Sequence, residues 1–63
     1  MKLSSEQRHI LMKCSEELSE LSVELLHALN KPKKQNKQKI KLEIQDVEYY
    51  LEKLKECLDI SQN

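Results

Sequence analysis

Three carboxylates fall within five residues at Glu16-Glu17-Leu18-Ser19-Glu20, and two more follow at Glu43-Ile44-Gln45-Asp46. Glu17 with Glu20, and Glu43 with Asp46, are spaced i, i+3, which on a helix brings them to one face. Carboxylates crowded together repel, and some take up protons unless a cation sits among them. Hard dications such as magnesium bind through carboxylate oxygens and water, and magnesium keeps part of its water shell for substrate phosphates. The chemistry open to these residues is metal-assisted work on phosphate. The plainer alternative is solvated helix surface, because glutamate is a good helix former and 35% of the chain is charged.

The elements that must position these acids are two helices. Glycine, phenylalanine and tryptophan are absent, and Pro32 is the single proline. Ser4 and Gln7 are spaced as a capping box for a first helix. Leu11, Cys14, Leu18, Leu21, Leu25 and Ala28 then follow steps of three and four, a heptad seam. Asn30 suits a helix end, and Pro32 biases Lys31 away from helical geometry. Asn36 suits the cap of a second helix, whose seam is Ile40, Ile44, Val47, Leu51, Leu54 and Leu58. The expected boundaries are a helix over about 5–29, a basic turn over 30–36 and a helix over about 37–58, in a single domain. Ile60 to Asn63 carries no clear pattern.

Two long helices joined by a short turn fold back as an antiparallel hairpin. In such a pair, residues at one level have numbers of constant sum. With the turn centred between Lys31 and Pro32, Glu17 lies level with Asp46 and Glu20 with Glu43. Each acidic pair immediately precedes seam residues, Leu18 and Leu21 on one helix and Ile44 and Val47 on the other. The four acids are therefore expected on the rim of one groove, on a stripe that continues through Glu24 and His27. A turn misplaced by one or two residues shifts the levels by only about 1.5 Å per residue.

Size and charge bound the rest. A chain this short buries only about 60% of the surface its unfolded form exposes, and small folds usually gain a metal, disulfides or a partner. Val23, Leu26, Leu29, Leu42 and Tyr49 lie off the seam and would be exposed in a lone hairpin. The expected fold class is therefore all-α, an antiparallel helical hairpin assembling into a four-helix bundle by oligomerisation. Two cysteines without a signal-peptide pattern do not make a secreted disulfide scaffold. Cys14 is expected as a small core residue, and a Cys14–Cys57 bridge is disfavoured by level. No apolar run approaches the roughly 20 residues of a membrane span, so a cytoplasmic, membrane-free protein is expected. The chain has 11 basic and 11 acidic residues. They are segregated, with six lysines and no acid in residues 31–41.

The paired motifs resemble a known family. EELSE, then 22 residues, then EIQD is similar to the EExxE…ExxD signature of the MazG-like, all-α nucleoside triphosphate pyrophosphohydrolases. Leu11 to Leu29 looks like the first motif helix of that family and Ile40 to Leu54 like the second. The resemblance implies an enzyme that splits an NTP or dNTP into the monophosphate and pyrophosphate. It implies magnesium, with manganese as the alternative ion, held by Glu17, Glu20, Glu43 and Asp46, with Glu16 as accessory ligand or water-positioning group. It also implies dimers or higher homo-oligomers. So compact a member would suit a phage gene. Fuller members add helices that wall the base pocket. Here Tyr49, Tyr50 and His27 are the aromatic groups available to a base.

The lysine block offers phosphate contacts. Lysines near a helix N-terminus oppose the macrodipole, whereas a bound anion would be favoured there. Lys39 shares the stripe of Glu43 and Asp46 and is the leading phosphate-binding candidate, with Lys34 and Lys37 as further binding candidates. Nucleic acid is a poorer partner, because the acidic flanks repel its phosphates. Two other readings remain at this stage: a catalytically inactive nucleotide-binding or sequestering protein, and a helical protein-interaction module.

Overall fold

The computed structural model describes residues 1–60; residues 61–63 lie outside the described part. It contains two helices and no strand among those residues, α1 over Ser5–Asn30 and α2 over Lys34–Cys57. They form the expected antiparallel hairpin, 42 Å along its longest axis. No helix among the described residues is long and apolar enough to cross a membrane.

Local chemistry sets the ends. Ser4 Oγ accepts from the Gln7 N–H at 3.1 Å, and Gln7 Oε1 accepts from the Ser4 N–H at 2.8 Å. This reciprocal pair satisfies two donors that the first helical turn leaves unpaired. Gln7 also spans the hairpin, donating from Nε2 to the Cys57 carbonyl at 2.9 Å. At the turn, α1 ends with the Lys31 N–H on the His27 carbonyl at 2.8 Å.

Asn36 does not start α2. The helix begins at Lys34, and Asn36 Oδ1 reaches back to accept from the Lys33 N–H. Asn36 is thus the third helical residue, and the connection shortens to residues 31–33. An asparagine side chain can serve either position, because at both it accepts from a nearby backbone N–H.

The far end of α2 closes as a Schellman motif. The Asp59 N–H donates to the Glu56 carbonyl at 3.2 Å and the Ile60 N–H to the Lys55 carbonyl at 2.8 Å. Asp59 has φ 56°, a left-handed conformation that usually recruits glycine.

The helices face each other along a line rotated from the expected seam. One line of covered positions steps through Gln7, Ile10, Cys14, Glu17, Leu21, Glu24 and Ala28 on α1 and Asn36, Ile40, Glu43, Val47, Tyr50, Leu54 and Cys57 on α2, while Leu11, Leu51 and Leu58 of the expected seam are half-buried beside it. Cys14, at 4% exposure, and Val47, at 6%, are the buried residues among those described. Leu18, Leu25 and Ile44, expected in the seam, are 46%, 50% and 41% exposed. The cause is the width of the apolar stripe. A stripe of three positions per heptad shares Cys14, Leu21 and Ala28 with either choice, and the hairpin uses the edge carrying Ile10, Glu17 and Glu24. Val23, Leu26, Leu29, Leu42 and Tyr49 are exposed as expected. Cys14 and Cys57 are both free thiols.

The two ends respond oppositely to substitution. Ser4→Ala removes the capping oxygen and lowers stability by about 1 kcal/mol, whereas Asp59→Gly relieves the left-handed aspartate and raises it by a few tenths to about 1 kcal/mol. Urea unfolding of the two variants beside the parent checks both signs.

Candidate metal centre

The Gln7–Cys57 contact ties the start of α1 to the end of α2, and the acids of the two motifs meet between them. Glu17, Glu43 and Asp46 each present a carboxylate oxygen, all within 4.8 Å of one another. Glu17 and Glu43 are half-buried, because both occupy facing positions between the helices, while Asp46 is exposed on the adjoining flank.

Glu20 stands close to Glu17, and its contact is the largest cause of a Glu17 pKa pushed up to about 7. Burial and the negative charges of Glu20, Asp46 and Glu43 add to the shift. Glu43 is raised as well, first by burial, then by the charges of Glu20 and Asp46, with contact to Glu20 and the charge of Glu24 behind them.

Among the described residues, two shielded carboxylate oxygens make no hydrogen bond, Glu43 Oε2 and Glu24 Oε1. His27 Nδ1 stands 3.9 Å from Glu24 Oε1, too far to hydrogen-bond it. Glu24 was legible only as part of the stripe; its signal is the seven-residue step from Glu17, which returns it to the facing line. An all-oxygen set with no cysteine or histidine donor suits magnesium, calcium or manganese rather than zinc. The donor chemistry and the unpartnered Glu43 oxygen therefore fit a hard dication.

The remaining candidates separate. Glu16 lies outside the converging group and pairs with Lys13, at 3.3 Å. Lys39 borders an open cavity of about 450 Å³ at the turn, together with Glu24 and His27. Lys34 and Lys37 instead line a groove with Ile40 and Ile44. Tyr49 and Tyr50 meet edge to face at 5.1 Å, with Lys53 Nζ 5.5 Å from the Tyr49 ring centre. Tyr49 is exposed one turn beyond Asp46. No known protein family, curated protein or solved structure matches the chain.

The raised carboxyl groups make stability depend on pH. Glu17 and Glu43 hold protons more tightly folded than unfolded, so the folded state is favoured below the ordinary glutamate range near 4.5, and that advantage is lost as pH rises toward about 7. In the absence of divalent ions, the melting temperature falls between pH 5 and pH 8, and Glu17→Gln flattens the fall. Thermal melts across that range, with carbon NMR of the Glu17 carboxyl showing a midpoint near 7, measure the effect.

Proposed function

We propose that the chain is a magnesium-dependent nucleotide pyrophosphohydrolase, cleaving an NTP or dNTP to the monophosphate and pyrophosphate. The observation that carries this reading is the meeting of carboxylates from both motifs, Glu17 with Glu43 and Asp46, within 4.8 Å. The resemblance of EELSE and EIQD to the MazG-like motifs supplies the reaction class.

In this reading Glu17, Glu43 and Asp46 hold the ion, and Glu20 completes the set. The metal, when bound, supplies neutralisation of phosphate charge and a bound water of lowered pKa. Glu20, in contact with both Glu17 and Glu43, orients their carboxyl groups. Bringing a cation to these side chains requires Glu17 to give up its proton, so binding and deprotonation are linked. Tyr49, exposed one turn from Asp46, is the aromatic side chain available to a base.

The working form in this proposal is a dimer of hairpins. The whole chain exposes 5253 Å², against roughly 4,200 Å² for a compact monomer of its mass. The excess is on the order of 1,000 Å², comparable with the roughly 800 Å² that one partner contributes to a stable interface. Leu18, Leu25, Ile44 and Leu51 each sit one residue beyond a facing position, and in an antiparallel pair those positions share one flank. A second copy laid on that flank completes a four-helix bundle and leaves Glu20 and Asp46 on the opposite flank.

Purified protein with magnesium releases pyrophosphate from at least one common nucleoside or deoxynucleoside triphosphate. Asp46→Asn or Glu43→Gln lowers that rate by about a hundredfold or more. A full nucleotide panel without pyrophosphate release removes the enzymatic reading, and ligand-induced thermal stabilisation without product marks a binding protein instead. Sedimentation of the parent gives about twice the chain mass of 7.5 kDa. Leu18→Lys with Leu25→Lys shifts it to the monomer, because buried charge without a partner is costly.

A further inference from the structure

The flank that carries Glu20 and Asp46 does not end at the acids. A hollow of about 330 Å³ lies against Ser19, Glu20, Val23, Glu24 and Glu43. The larger cavity at the turn is bordered by Glu24, His27, Lys31, Lys33, Asn36 and Lys39, among others. Glu24 borders both, so an acidic hollow and a cationic one adjoin on one side of the hairpin.

At the cationic end three lysines face a single acid, Glu24. The ion pairs among the described residues join Lys13 to Glu16, His27 to Glu24 and Lys55 to Glu52; none includes Lys31, Lys33 or Lys39. Three lysines border one concavity, and an anion with several oxygens can meet all three through charge-assisted hydrogen bonds. A lone carboxylate has too few oxygens for that, whereas a chain of phosphates has enough. The two hollows are also separated in a useful way. Glu20 to His27, and Asp46 to Lys39, are each seven residues, on the order of 10 Å of helical rise. A single phosphate does not span that separation, but a polyphosphate tail does.

We propose that the turn cavity seats the terminal phosphates of a polyphosphate ligand on Lys31, Lys33 and Lys39. A nucleotide then lies along the flank with its terminal phosphates toward the turn, its inner phosphate beside the carboxylates and its base toward Tyr49. The choice of a nucleotide rests on the function proposed above; the cationic cavity itself does not.

Inorganic tripolyphosphate, added to chelator-treated protein without metal, tests the cavity directly. Calorimetry shows saturable binding at one site per chain, and NMR places the largest amide shifts among residues 27–39 on the cavity side. The combined Lys31→Gln, Lys33→Gln, Lys39→Gln variant weakens binding by about tenfold or more, while the charge-matched Lys34→Gln, Lys37→Gln, Lys41→Gln variant changes it by less than about threefold. Lys39→Gln alone weakens it measurably and guards against misfolding of the triple variant, which circular dichroism checks. Equal weakening by both triple variants, or no saturable binding to the parent, overturns the proposal. If tripolyphosphate binds as expected while magnesium finds no site among the acids, the cavity stands and the pyrophosphohydrolase reading falls. If turnover is present while tripolyphosphate does not bind and the cavity variant keeps its KM, the cavity assignment falls alone.

Discussion

The structure turns on glutamates placed where two helices face each other. Glu17, Glu24 and Glu43 occupy positions that a helical hairpin ordinarily gives to leucine or alanine. Carboxylates crowded there and partly shielded from water repel, and the molecule answers by raising Glu17 and Glu43 toward the protonated form. A chain of this size has little stability to spare, so charge at its own interface is a strong constraint on everything else. The helix ends are correspondingly well made, with a reciprocal cap at Ser4 and Gln7 and a Schellman closure at Asp59 and Ile60. Gln7 adds the clasp that ties the start of one helix to the end of the other.

The same constraint explains the apolar surface left over. With acids in the facing line, only Cys14 and Val47 among the described residues are buried, and Leu18 and Leu25 at the neighbouring edge of the stripe stay half-exposed. The radius of gyration is 14.1 Å, against about 10.6 Å for a compact domain of this length. The hairpin is elongated, with Leu18, Leu25 and Ile44 exposed on one side and Glu20 and Asp46 on the other.

Much of this was legible in the sequence, for reasons that differ from residue to residue. The Ser4–Gln7 cap is a contact three residues long, so spacing alone reveals it. The meeting of Glu17 with Glu43 and Asp46 survives an error of one residue in the turn, because helical rise is small beside the reach of a carboxylate side chain. The helix start at Lys34 was not legible, since Asn36 has the same partners to offer as a cap or as a third helical residue. The facing line was not legible either. A broad apolar stripe contains two seams that share Cys14, Leu21 and Ala28, and only packing decides between them. That ambiguity hid Glu24 and placed Leu18, Leu25 and Ile44 in a core they do not join. Lys39, Lys34 and Lys37 read as one block, yet helical periodicity sends Lys39 to the acid-bearing flank and the other two away from it.

The central claim is that the carboxylates form a cation site rather than a strained stretch of helix surface. Proton release on metal binding tests it most directly, because a site with Glu17 near pKa 7 must shed a proton to accept a dication. Magnesium titrated into weakly buffered protein at pH 7 should release a fraction of a proton per chain, saturating at one ion. The release should shrink at pH 8.5, where Glu17 is already ionised, and vanish in Glu17→Gln. Magnesium that neither saturates nor releases protons at pH 7 would contradict the account.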